Sequence, residues 1–210
     1  MACLCGYDAC LLTSLRPVSS QTFAKPVTRR TLLARRDAMS LAALEVASAQ
    51  IAASVELLLA DKPVGVLGLY AAKGSEVTTA QIDASARAHG WTIVYPRVVG
   101  DATALAFHEA TRAALVPARF GLHEPHGDVR RRELSDISVF LIPGIAFDRA
   151  GGRLGWGRGH YDATLAEAPS ALRIGLSFEC QLVDRTPREP HDAILHFIIT
   201  EAATYAVAPE

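Results

Sequence analysis

Several absences narrow the possibilities before any motif is read. The 210-residue chain has four cysteines, with Cys3, Cys5 and Cys10 crowded together near the start and Cys180 alone. That leaves no spaced framework for disulfides or Cys-x-x-Cys metal knuckles, and a reduced, cytoplasmic setting is expected. Charge of one sign is also missing: 21 basic residues face 22 acidic ones. This balance argues against a general nucleic-acid coat or an electrostatic membrane binder, and no basic-aromatic interleaving points to nucleic acid either. The longest apolar stretch, residues 41–60, is broken by Glu45, Gln50 and Glu56, so it reads as a globular helix and not as a bare membrane span. There is no internal repeat, low-complexity tract or linker between domains. No Gly-x-Ser-x-Gly elbow is present, Cys180 sits in an apolar setting that suits packing, and covalent catalysis is not expected.

What is present in excess is glycine in one place. Between Pro143 and Asp162 the chain holds Gly144, Gly151, Gly152, Gly155, Gly157 and Gly159, interleaved with Arg153 and Arg158. Glycine costs backbone entropy, so it gathers where φ must be positive or where the backbone must approach something closely. The run leaves an apolar strand and enters a helical pattern, a setting in which free N–H groups can seat a phosphate and arginines can add charge-assisted bonds. It is not a Walker A motif, and its spacing does not match a dinucleotide fingerprint. Its plainer reading is a surface hairpin, but its position after a buried strand, where open α/β sheets bind ligands, favours phosphate.

Around this run the hydrophobic pattern alternates strand and helix. Pro26 suits a helix start, and Val27 to Met39 form a first helix with a basic face. Ser40 caps a second, whose stripe of Leu44, Ala47, Ile51, Val55, Leu58 and Leu59 is expected to be buried. Strands are expected at Val64 to Tyr70, Trp91 to Tyr95 (ended by Pro96), Thr103 to Phe107, Ser138 to Ile142, Arg173 to Phe178 and Ile194 to Ile199. A helix capped by Thr78 or Thr79 covers Ile82 to His89, with Gly90 placed to stop it, and another covers Tyr161 to Ala168. A strand, a helix and a strand within about thirty residues make a βαβ unit. The fold class is therefore α/β: a single domain, residues 24–210, with a mostly parallel twisted sheet and helices on both faces. Residues 1–23 are expected to be a disordered extension.

Other candidate groups divide between chemistry and plain surface. His123, His126 and Asp128 lack the further ligand that zinc wants, and they read as polar surface. Asp192, after His191 in a Pro-rich approach to the last strand, suits a metal, a phosphate-bound water or simply a turn.

Taken together, these residues resemble the 5-formyltetrahydrofolate cyclo-ligase (5,10-methenyltetrahydrofolate synthetase) family. The likeness lies in Pro143 to Asp148 followed by Arg153-Leu154-Gly155-Trp156-Gly157-Arg158-Gly159-His160-Tyr161-Asp162. It is supported, in order, by Lys25 to Arg36, Tyr70, Glu76 to Thr79, Tyr95 to Val98, Phe120 to Pro125, Pro187, His191-Asp192 and Thr200-Glu201. The resemblance implies an enzyme that uses ATP and Mg²⁺ to convert 5-formyltetrahydrofolate to 5,10-methenyltetrahydrofolate; a monomer is expected, with that small-molecule substrate as its partner and, from the charge balance, no nucleic acid or membrane. It implies Lys25, Arg29, Arg153 and the segment Gly155, Trp156, Gly157, Arg158, Gly159, His160, Tyr161 and Asp162 around the nucleotide, with Arg158 and Tyr161 catalytic. It assigns Tyr70, Glu76 and Tyr161 to the folate, and Asp162 or Asp192, or both, to the metal. Trp156, Arg158, His160 and His123 depart from the residues common in the family, and Trp156 and His160 keep a non-catalytic folate- or nucleotide-binding member of the same fold as the alternative.

Overall fold

The computed structural model describes residues 25–208, with the side chains of residues 25–28 excluded. The expected N-terminal extension, residues 1–23, lies outside the described residues.

Eight strands make the main sheet: β1 (Val66–Gly68), β2 (Thr92–Arg97), β3 (Ala106–Glu109), β4 (Arg131–Arg132), β5 (Ile137–Ile142), β6 (Leu172–Leu176), β7 (Phe197–Ile199) and β8 (Thr204–Ala206). Their order across the sheet is β8-β7-β6-β5-β1-β2-β3-β4. The five central strands, β7 to β2, pair in parallel. Both flanks turn antiparallel, with β8 on one edge and β3 and β4 on the other. The sheet is thus parallel at its centre and mixed at its margins.

Helices α1 (Lys25–Asp37), α2 (Leu41–Ala60), α3 (Ala80–Ala88) and α4 (His160–Ala166) cover it. The strands' period of two sends alternate residues to opposite faces. Leu67, Ile93, Tyr95, Val139, Leu141 and Ile174 meet Ile51, Val55 and Ile82 from α2 and α3. Val94, Phe140, Ile142 and Ile198 meet Leu165 of α4 on the other side. Each such side chain contributes about 1.5–3 kcal/mol when fully buried. Ser40 caps α2 as expected, its Oγ accepting from Ala43 N at 3.2 Å. The stripe in α2 is buried through Ala47, Ile51, Val55 and Leu59, while Leu44 and Leu58 pack partly exposed. By length and composition this helix is also long and apolar enough to cross a membrane, but its apolar stripe is spent on the sheet.

Several boundaries shift for identifiable reasons. Pro96 does not end β2, which runs on to Arg97. Beyond Val94 and its bond to Leu69 N, only the β3 flank is laddered, so the missing N–H of proline leaves no gap. The third strand begins at Ala106 and not at Thr103, and it pairs antiparallel. Thr79 precedes α3, but its hydroxyl makes no cap bond; it donates instead to the Tyr70 carbonyl at 2.7 Å and fixes the chain leaving β1. Helix α4 stops at Ala166, two residues early.

Candidate active site

The glycine-rich run is not one continuous nest. Its first half is a hairpin, Ala146–Asp148 against Arg153–Leu154, in a small separate sheet that Leu182–Val183 completes. Asp148, fully buried, organises the hairpin turn. One carboxylate oxygen accepts from Ala150 N (2.9 Å) and Gly152 N (3.0 Å), the other from Thr186 N (2.7 Å) and Oγ1 (2.6 Å). Gly151 and Gly152 therefore serve this turn, and the loop open to a ligand shortens to Gly155–Gly159. There the backbone does need glycine, because Gly157 sits at φ 91° and Gly159, before α4, at φ 68°.

That loop lies at the carboxyl end of central strand β5 and forms one wall of a cleft of about 560 Å³. Helix α1 closes it from outside: Arg29 Nε donates to the Gly155 carbonyl at 2.9 Å, although 126 residues separate the two. A methyl on Gly157 would lie 3.0 Å from Arg29 Nη2, so the guanidinium rests directly against the loop. Arg153 is almost wholly buried. It pairs with Asp162 (Nη2 to Oδ1, 3.0 Å), stacks its guanidinium 5.5 Å from the Tyr161 ring centre and keeps a buried Nε–H with no partner. That Nε–H is a buried donor left unsatisfied beside the cleft. Arg158 stands over the Phe120 ring at 4.1 Å.

The opposite wall is carboxylate and phenol. Glu76 accepts from Lys73 N at 3.0 Å across the turn that Gly74 makes. Burial pushes the Glu76 carboxyl above its ordinary range, opposed by the Lys73 backbone bond, by Arg36 and Lys73, and by hydrogen bonding from Trp156. Tyr70 is buried, its hydroxyl donating to Val77 O at 2.9 Å, and burial followed by the charge of Glu76 raises its pKa well above the usual value. Burial likewise pushes the Tyr161 phenol up, against the pull of Arg153. Both phenols stay neutral throughout the physiological range.

Tyr70, Glu76, Arg29, Arg153, the loop 155–159, His160, Tyr161, Asp162 and Asp192 all line this one cleft. Lys25 opens α1, but its side chain lies outside the described residues. His160 reaches the rim, where its Nδ1 bonds Thr103 O at 2.6 Å, a structural link that leaves it little freedom. Asp192 takes the turn role foreseen for it, its Oδ2 accepting from Glu189 N at 2.7 Å, while still facing the cleft. His126 and Asp128 pair with each other at the surface.

Three residues escaped the sequence reading. Arg36 is buried and donates to Ser75 Oγ at 2.9 Å beside Glu76; its spacing of seven from Arg29, with Leu32 buried between them, places it on the same helical face and is the signal that could have found it. Lys73 donates its ammonium to the Phe120 carbonyl, and Phe120 itself has the left-handed φ of 61°. Nothing in the local sequence marks either.

Among the described residues no three potential ligands cluster for a metal. Asp162 and Asp192, on one cleft, suit a Mg²⁺ that arrives already carried by phosphate oxygens, since that ion is held by one or two carboxylates and its remaining positions by phosphates and water.

The sequence matches the model of the 5-formyltetrahydrofolate cyclo-ligase family over residues 21–201. The chain belongs to that family. It is similar to the 5-formyltetrahydrofolate cyclo-ligases of Mycolicibacterium smegmatis (40% identical over 88 residues, 41% of this chain and 45% of that one) and Escherichia coli (34% over 116 residues, 54% and 63%). These matches span about half the length of the curated relatives. The 5,10-methenyltetrahydrofolate synthetases of Aquifex aeolicus (TM-score 0.77, 24% identity, 89% of this chain and 94% of that one) and Mycoplasma pneumoniae (0.72, 24%, 85% and 99%) share the family fold.

Proposed function

We propose that the protein is a cytoplasmic, monomeric ATP-dependent ligase that closes 5-formyltetrahydrofolate to 5,10-methenyltetrahydrofolate, releasing ADP and phosphate. The observation that carries this reading is the meeting, in one cleft, of an arginine-lined glycine loop with a partly buried carboxylate, in a chain of the cyclo-ligase family.

The chemistry asked of such a site is modest. An N5-formyl oxygen is a poor leaving group, so it first takes the γ-phosphoryl group of ATP. N10 then attacks the activated carbon, the C–O bond breaks, and phosphate departs with the proton lost from N10, leaving the methenyl bridge. Phosphoryl transfer needs positioning and charge neutralisation more than covalent help. Arg29 holds the loop from α1, the loop amides and Arg158 meet the triphosphate, and Arg153, paired with Asp162 behind them, adds positive charge. Lys25 is assigned to the same end of the site. Asp162 and Asp192 would hold Mg²⁺, which when bound supplies charge neutralisation at the phosphates. Glu76 accepts from the pterin ring N–H groups, with Tyr70 beneath it and Tyr161 at the boundary between the two substrates.

Partial burial of Glu76 beside the neutral phenol of Tyr70 would strengthen the carboxylate's bonds to the ring. The deciding experiment incubates purified protein with 5-formyltetrahydrofolate and Mg²⁺, with and without ATP. Growth of the methenyl absorbance together with ADP, only when ATP is present, is the expected result. Tight binding of either substrate with neither signal would instead favour the non-catalytic binding protein, a reading motivated by Trp156 and His160 in the loop.

A further inference from the structure

The three described arginines of the cleft are held in different ways. Arg29 spends its Nε on the Gly155 carbonyl, and Arg153 gives Nη2 to Asp162. Among the described residues no carboxylate or carbonyl takes an Arg158 donor; its guanidinium instead lies over the Phe120 ring, 4.1 Å from the centre. An aromatic face engages a guanidinium through its flat side and leaves the N–H groups in the guanidinium plane unspent. Held in this way, Arg158 keeps its fork of donors free for a planar, bidentate contact with a phosphate.

Phe120 is unusual in its own right. Among the described residues it is the non-glycine with positive φ, at 61°, and its ring is left half exposed at the mouth of the cleft. A backbone in that region costs energy and persists only where its surroundings over-determine it. Here the surroundings are visible: the Lys73 ammonium donates to the Phe120 carbonyl, and Ala118 N to Leu122 O (2.8 Å) and Leu122 N to Arg119 O (3.2 Å) close the turn on either side. Lys73 comes from the same turn that presents Glu76. The strained residue is thus pinned at its carbonyl to one wall of the cleft and touches the arginine of the other with its ring.

We infer that Phe120 is a positioning residue: its ring holds the Arg158 guanidinium at the mouth of the cleft, so that the arginine meets the incoming triphosphate with its donors unspent. This rests on the proposed function for the identity of the ligand. It predicts a role in nucleotide affinity and none in folate stacking, although the exposed aromatic ring could be mistaken for a pterin platform.

The test is a double-mutant cycle with Phe120→Leu and Arg158→Ala, with Phe120→Tyr as the conservative rescue. Removing the ring face should raise the KM for ATP by roughly two- to fivefold, the size of an exposed cation–π contact. The kcat and the KM for 5-formyltetrahydrofolate should hold, Phe120→Tyr should restore the KM for ATP, and Phe120→Leu should add nothing once Arg158 is alanine. A rise in the folate KM instead, an undiminished effect in the Arg158→Ala background, or no rescue by tyrosine would each overturn the assignment. The same cycle read by calorimetric binding of Mg-ATP without folate separates this inference from the activity. A wild-type protein that binds Mg-ATP but turns nothing over refutes the ligase reading and leaves the cycle decisive, whereas one that does not bind Mg-ATP refutes both.

Discussion

Replacing Glu76 by glutamine should make the protein more stable at neutral pH and much worse at binding folate. Burial raises the folded-state pKa of this carboxyl, ahead of the opposing Lys73 bond and the charges of Arg36 and Lys73. A carboxyl with a raised folded pKa contributes its stability below the unfolded value of about 4.3 and loses it as pH rises through the folded value. Once ionised, the group is one that the unfolded chain solvates better than the native state does. Glutamine removes that cost while its carbonyl can still accept from Lys73 N, the bond that shapes the turn at 3.0 Å. For binding, the substitution exchanges a charged acceptor for a neutral one that presents N–H groups to the ring's own donors. A hydrogen bond to a charged partner contributes about 1.5–3 kcal/mol, so the loss should be roughly ten- to hundredfold in folate affinity. Urea unfolding of both proteins from pH 4 to 8 reads the first effect, and the KM for 5-formyltetrahydrofolate reads the second. The stability gap should open as pH rises and close on acidification, where the wild-type side chain is itself neutral. A gap that does not change with pH, or one that favours the wild type at pH 7, would refute the burial argument; an unchanged KM would remove Glu76 from the folate site.

Gly157→Ala should cost about 1–3 kcal/mol through its φ of 91° and, in addition, raise the KM for ATP, because the new methyl would press on Arg29 Nη2 at 3.0 Å. Gly74→Ala, at φ 58° with nothing within 4 Å, is the control that carries the backbone cost alone; an equal rise in KM in both would remove Arg29 from the explanation. Asp162→Asn should destabilise by roughly 3–5 kcal/mol in urea, since it strands the buried Arg153 guanidinium without its counter-charge. The double variant with Arg153→Met should recover much of that loss, and a single-variant cost below about 1 kcal/mol would mean that the pair behaves as a surface one.

Much of this architecture is legible from local chemistry. The strand at 137–142 and the stripe in α2 are written in period and burial, and the convergence of Arg29, Glu76 and the glycine loop follows from family motifs lying in order along the chain. What escaped depends on distant partners. The antiparallel margins β4 and β8 are two and three residues long, too short for any period to register. The split of the glycine run into a buried hairpin and an open loop is decided by Asp148 reaching Thr186, thirty-eight positions on. Arg36 looks like a solvated arginine until the turn at 73–76 folds over it.

The bond from Arg29 to Gly155 also has a meaning in time. At about 5–20 residues per second of synthesis, the 126 residues between them place roughly 6–25 s between the emergence of helix α1 and that of its partner loop. A thirteen-residue helix is marginal alone in water, so α1 has little to hold it in shape during that interval. The cleft cannot be complete until α1 has docked on the loop. On the proposed function, nucleotide affinity would then also report whether the cleft has finished forming.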